Sequence, residues 1–315
     1  MSDQTLEVQD IVYALAASPG FARDGVCFAA RASGLYRSDD GGLTWRSAYT
    51  ALKLQASLLT TAVVLSPEFE SDHNVFAGAQ DGLLCSADGG QNWQIKVLPP
   101  PPPLVSQLVI SPDFAHDGVV LAGTMEDGVF RSADRGGHWA SWNFGLLDLN
   151  VLCLAISPDF VHDETLFVGT GSGIFRSANG GRAWREVDLP TEFAPVLSLA
   201  LSPDYAQDGI LFAGTEAHGL FRSADRGRTW TRLGKKILNE AVNAIVLSPE
   251  FSSKPEILAL TGDRLLISRD GGQSWSDWKA GEPLEQAAAC VAAPQGLDPG
   301  APLLVGLVNG EVRRV

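Results

Sequence analysis

Carboxylates at a fixed spacing are the residues in this chain whose type and placement first raise the question of chemistry. Asp40, Asp88, Asp134, Asp225 and Asp270 each stand two residues after a serine, at Ser38, Ser86, Ser132, Ser223 and Ser268. A row of acidic loops raises calcium binding. One or two carboxylates per loop fall short of the roughly six to eight oxygens that calcium takes, so a structural turn is expected and no metal is assigned. Glu126, Asp127, Glu216 and Asp263 remain as acid–base candidates, but they sit in polar loops and read as a solvated acidic rim. Of His73, His116, His138, His162 and His218, no two share a strand at metal-ligand spacing. Cys27, Cys85, Cys153 and Cys290 lie in separate segments without CxxC spacing and are expected to be free, buried thiols. No catalytic residue and no cofactor-binding residue is assigned.

Basic residues recur as well. Arg37, Arg131, Arg176 and Arg222 each precede a signature serine, and Asp24, Asp117, Asp163 and Asp208 recur in the same segments. In the sixth segment both change together, to Ile267 and Lys254. The expectation is an Arg–Asp pair within each segment; the alternative is a ring of arginines for anionic ligands.

These residues are positioned by a repeat. The clearest copy of its signature is Ser38-Asp39-Asp40-Gly41-Gly42-Leu43-Thr44-Trp45, and its closing tryptophans are Trp45, Trp93, Trp139, Trp184, Trp230 and Trp275, spaced by 48, 46, 45, 46 and 45 residues. A fixed period of that size signals a propeller, solenoid or array. Within the fifth copy, four short apolar runs separated by Gly, Asp and Pro read as a four-stranded antiparallel meander: 196–201, 210–213, 220–222 and 230–233. A lone sheet cannot bury both faces, so neighbouring sheets must pack around an axis. The expected fold is all-β, a single seven-bladed β-propeller filling residues 1–315. Its blades fall at about 10–49, 58–98, 104–143, 150–189, 195–234, 241–280 and 286–315, the last completed by residues 4–9. The seventh copy stops after three strands, and Thr5-Leu6-Glu7-Val8 is expected to supply its outer strand and close the ring.

The signature turns resemble Asp-boxes, the repeats of the BNR-like propeller superfamily that includes sialidases, xyloglucanases, sortilin-type ectodomains and a photosystem II assembly factor. The structural residues are then Ser38, Asp40, Gly42, Trp45, Asp88, Trp93, Asp134, Trp139, Trp184, Asp225, Trp230, Asp270 and Trp275. Ser38 and Asp40 would bond turn backbone, Gly42 would allow a positive φ, and each Trp would bury its ring between blades. Departures are Asn92 and His138 in place of Thr, and Asn179 and Ala183 in the fourth copy. A sialidase of this superfamily would need an early Arg-Ile-Pro and a late Tyr; this chain has neither. A xyloglucanase would need two propellers to make its cleft, and one is expected here.

A net charge of -14 argues against nucleic acid as a partner. No apolar run of membrane-spanning length occurs, so membrane insertion is not expected. The first residues have neither a basic nor an apolar signal region, which predicts a cytoplasmic protein, or a secreted one if a leader has been removed. Inner strands are expected to line a narrow channel with Ala14, Ala62, Gln107, Cys153, Ser198, Ala244 and Ala289. The connections between blades are the natural binding segments. The most apolar holds Trp142, Phe144, Leu146, Leu147 and Leu149, read either as a partner-binding patch or as a cap on the core. Pro99 to Pro103 reads as a stiff spacer between blades two and three in preference to a docking site. The sequence therefore points to a non-catalytic scaffold whose partner is another protein, with a glycan-binding or glycoside-hydrolase-like protein as the alternative.

Overall fold

The computed structural model describes residues 9–80, 82–99, 102–191, 193–262, 264–279 and 286–315. The chain folds as a seven-bladed β-propeller. Six blades are four-stranded antiparallel meanders in sequence order, and the described residues of the seventh form three strands, Ala288–Ala292, Leu304–Leu307 and Val312–Arg314. The expected closing strand at 5–8 lies outside the described residues. The first strands of the blades follow one another around the ring, and Ala288–Ala292 packs against Val12–Ala17.

Three kinds of contact draw the blades together. The second strand carries a glycine at the same place in five blades, and a Cβ there would collide with a valine in, or just before, the next first strand. The pairs are Gly78 with Val105, Gly123 with Val151, Gly169 with Val196, Gly214 with Val242, and Gly306 with Val12. The last pair joins blade seven to blade one. Hydrogen bonds follow the same path: Ser106 Oγ donates to Val151 O (2.6 Å), Ser198 Oγ to Val242 O (2.8 Å), and Cys290 Sγ to Val12 O (3.3 Å). Aromatic rings meet edge to face across the same boundaries, Phe76 with Phe114, Phe167 with Tyr205 and Phe212 with Phe251, at centroid distances of 5.6, 6.0 and 5.7 Å.

These contacts revise the expected channel lining. Cys153 and Ser198 are buried against the following blade, each donating to its valine carbonyl, rather than lining an open channel. In blade seven the register partner of Gly306 is Cys290, so Cys290 and not Ala289 is the equivalent of Cys153 opposite Gly169. First strands in six blades also carry a bulge or irregularity at their second residue, as between Val12 and Ala14. An alternating apolar pattern hides such an insertion, because the extra residue changes pairing and not composition.

A one-turn helix follows each Ser-Pro turn in the first five blades: Phe21–Asp24, Phe69–Asp72, Phe114–Asp117, Phe160–Asp163 and Tyr205–Asp208. Four residues are too few to show helical periodicity in sequence. The aspartate ending each helix is a brace. Asp24 accepts Ser18 Oγ (2.6 Å) and Val26 N (2.8 Å), and Asp117 accepts Ser111 Oγ (2.6 Å) and Val119 N (2.8 Å). The expected Arg–Asp pairs are therefore not formed: these carboxylates bond a serine and a backbone N–H instead.

Candidate functional site

The signature turns are self-contained. Ser38 Oγ donates to Asp40 Oδ1 (2.7 Å) and accepts from Gly42 N (2.9 Å). Asp40 Oδ1 also accepts from Leu43 N (3.0 Å) and Thr44 N (2.9 Å), and Oδ2 from Thr44 Oγ1 (2.6 Å). Both carboxylate oxygens are thus occupied by the turn's own donors, which leaves them no role as a metal cage. The sequence departures keep this chemistry. Asn92 Nδ2 bonds Asp88 Oδ2 (2.8 Å) and His138 Nδ1 bonds Asp134 Oδ2 (2.6 Å) where Thr44 does in the first turn. In blade four Asn179 and Ala183 change as a pair. Asn179 Oδ1 still accepts from Ser177 Oγ and Ala183 N (both 2.9 Å), while the second oxygen and its side-chain donor are lost together.

Hydrogen bonds from the Thr44 side chain and backbone and from Ser38 hold the Asp40 carboxyl down to about 2; Thr229 and Ser223 hold Asp225, and Ser274 and Ser268 hold Asp270, to about 2 as well. A carboxyl depressed in the folded state stabilises the fold fully above its unfolded value of about 3.9 and loses that contribution as pH falls through the folded value. The expected outcome is a urea midpoint that drops between about pH 4 and 2 as this contribution is lost. Asp225→Asn should make that drop shallower, by equilibrium unfolding across the same pH series.

The tryptophans divide into two groups, a distinction the sequence did not carry. Trp93 and Trp184 are buried, whereas Trp45, Trp139, Trp230 and Trp275 are only partly covered. The buried pair are those whose indoles reach the preceding connection, Trp93 Nε1 to Ala48 O (2.9 Å) and Trp184 Nε1 to Trp142 O (2.7 Å).

The connection at 142–149 divides into a buried side and an exposed one. Leu146 is buried, and Leu149 packs against the core between blades three and four. Trp142 lies beneath two cations, with the Arg131 guanidinium 4.4 Å and that of Arg182 5.6 Å from its ring. Phe144 and Leu147 point the other way and are each 80% exposed. The loop that presents them is fixed: Trp184 N donates to Phe144 O (2.8 Å), Leu146 N to Asn143 O (2.9 Å), and Asn143 Oδ1 accepts from Val129 N (2.8 Å). Two exposed apolar side chains thus stand on a loop held by its own hydrogen bonds.

Elsewhere the chemistry is muted. Glu126 and Glu216 are exposed in loops, and Asp263 lies outside the described residues. Among the described residues no three His, Cys, Asp or Glu side chains gather as a metal site. Burial pushes the Cys27 and Cys153 thiols up to about 12, far from nucleophilic at neutral pH, and all four cysteines are free. No described helix is long and apolar enough to cross a membrane.

The fold and its turns define an Asp-box repeat β-propeller. A family model described as BNR/Asp-box repeat matches residues 266–277, the turn of blade six. No curated protein matches the sequence. Among solved structures, the chain is similar to YCF48 bound to D1 peptide, with 17% identity, 98% of this chain and 94% of that chain covered, and a TM-score of 0.73. The GH74 xyloglucanase from Xanthomonas campestris is similar at 18% identity and TM-score 0.72, covering 96% of this chain and 51% of the enzyme. The extracellular domain of BT4673 from B. thetaiotaomicron is similar at 15% identity and TM-score 0.71, covering 98% of this chain and 38% of that one. At these identities the likeness is one of fold. The chain spans about half the length of the enzyme and less than half of the BT4673 domain, but nearly all of YCF48.

Proposed function

We propose that this propeller is a non-catalytic protein-interaction scaffold, a subunit or assembly factor of a larger complex, and that Phe144 and Leu147 contact its protein partner. The observation that carries the reading is the pair of 80% exposed apolar side chains held on a hydrogen-bonded loop. The end-to-end similarity to a propeller solved with a peptide bound supports the same class. The carbohydrate reading draws on the GH74 neighbours, of which this chain spans about half.

The test is purification of the tagged chain from its native cell, with mass spectrometry, beside the double variant Phe144→Ser/Leu147→Ser. Burying two such side chains contributes about 1.5–3 kcal/mol each, so the variant should bind at least about a hundredfold more weakly. Exposed substitutions shift stability by only about 0.5 kcal/mol, so its melting curve should match the parent. A stoichiometric protein captured by the parent and lost by the variant supports the scaffold. Recovery of the propeller alone, followed by a positive glycan array, supports the carbohydrate reading instead.

A further inference from the structure

A second surface emerges when blade four is compared with blade one. In blade one Arg37 and Arg46 are direct cross-strand partners on the third and fourth strands. Like charges at that spacing repel, and such pairs are destabilising unless compensated. Blade one compensates with its own carboxylate: Asp39 Oδ1 accepts from Arg37 Nε (2.9 Å), and Asp39 Oδ2 accepts from Arg46 Nη2 (2.5 Å).

Blade four repeats the arginines without the carboxylate. Arg176 and Arg185 are the equivalent cross-strand partners, and the position of Asp39 is taken by Ala178. Arg176 Nε, the counterpart of the nitrogen that bonds Asp39, is buried with no hydrogen-bond partner. Arg131 and Arg222 are also followed two residues later by alanine, and their Nε atoms are orphaned too, but they face Ala140 and Thr231 rather than a second arginine. The hollow beside Arg37 and Asp39 in blade one is about 160 Å³. At Arg176, Ala178 and Arg185 a groove of about 670 Å³ opens toward the turn of blade five, whose Arg226 and Arg228 form its far wall. Glu186 and Asp188 also border it. Glu186 pairs with Phe175, one residue along from Arg185, so it projects from the opposite face of the strand pair. The Tyr205 hydroxyl, in a residue only 1% exposed, is a further buried polar atom without a partner nearby, within electrostatic reach of Arg176 and Arg226.

We propose that the groove between blades four and five is a carboxylate-binding site, and that its occupant is an acidic segment of a partner polypeptide. The Arg176–Arg185 pair takes one carboxylate in the place Asp39 fills in blade one. Arg226 and Arg228 on the facing wall take a second. Two carboxylates held on opposite walls require a polyvalent ligand, and a chain rich in Asp or Glu supplies them. This rests on the scaffold reading for its biological setting. The two fail separately, because a defined peptide titrated into the purified chain does not depend on Phe144 and Leu147.

The experiment is calorimetric titration of the full chain with an Asp/Glu-rich octapeptide, the same peptide with Asn and Gln, and inorganic phosphate. The acidic peptide should bind one to one and weaken with added salt, and the amide peptide should not bind. Ala178→Asp installs the carboxylate of blade one and should weaken the acidic peptide at least about tenfold. The same variant should melt at or slightly above the parent temperature, because the arginine pair is then neutralised. Arg185→Ser, at an exposed position, should weaken the peptide without unfolding the blade. Equal affinity for parent and Ala178→Asp, equal binding of the amide peptide, or binding of phosphate alone would each overturn the proposal.

Discussion

Trp93→Ala should cost about 3–5 kcal/mol of stability, the range for removing a large aromatic ring from a core. Three losses combine at this position. The ring is 8% exposed and meets Tyr49 edge to face at 5.5 Å. Its indole N–H is shared between Ala48 O (2.9 Å) and Gly90 O (3.1 Å), so its removal leaves two buried carbonyls short of a donor. It also ties the connection that leaves blade one to the turn of blade two. In a chain of this size the expected fall in Tm is about 6–10 °C. Trp45→Ala is the matched control, since Trp45 is only partly buried and its indole bonds only its own turn, at Gly42 O (3.1 Å). Its fall should be less than about half as large. Equal losses at the two positions would mean that the connection does not contribute to the anchoring of Trp93.

Gly306→Val is expected to cost about 3 kcal/mol, at the upper end for overpacking, because the insertion falls where the ring closes. A Cβ at residue 306 would lie 2.6 Å from Val12 Cγ1 and 2.6 Å from Cys290 Sγ, both on first strands. Neither can retreat freely: Val12 is fully buried, and Cys290 donates to the Val12 carbonyl. The blades must part or the strands shift. Chemical denaturation should show a lower midpoint, and limited proteolysis should cut first near the junction of blades seven and one. At Gly171 a Cβ meets nothing nearer than 3.4 Å, so Gly171→Ala should change the midpoint little. A wild-type midpoint for Gly306→Val would show that the first-strand contacts do not hold the ring shut.

The chain length of the repeat and the chemistry of its turns were legible in the residues. Ser38, Asp40 and Thr44 have the donors and acceptors of a closed turn, and no distant residue is needed to complete it. Even the replacements Asn92 and His138 are readable, since each keeps a donor four residues after its aspartate. The Arg–Asp expectation failed for a physical reason. Co-occurrence in a repeat shows that two positions serve the same blade, not that they touch. Asp24 has a nearer partner in Ser18, and local side-chain bonds win over distant ones because they order less chain.

Within the apolar connection, composition marked residues 142–149 but did not divide them. Leu146 is buried and Leu147 is 80% exposed because Leu146 meets the core of blades three and four while its neighbour points away. The arginine groove is a clearer case. The repeat marked Arg176 but not Ala178 or Arg185, and only strand register places the two guanidinium groups opposite each other, with Asp39 of blade one for comparison. By itself the sequence determined the seven-fold repeat, the strand order within a blade and the bonding of each turn, all of which depend on residues close along the chain. Only the tertiary structure decided which tryptophans are covered, which glycines admit the next blade and where the arginines go uncompensated. The first two depend on contacts across blade boundaries, such as Trp93 with Ala48 and Gly78 with Val105, and the third on strand register, none of which spacing within one repeat encodes.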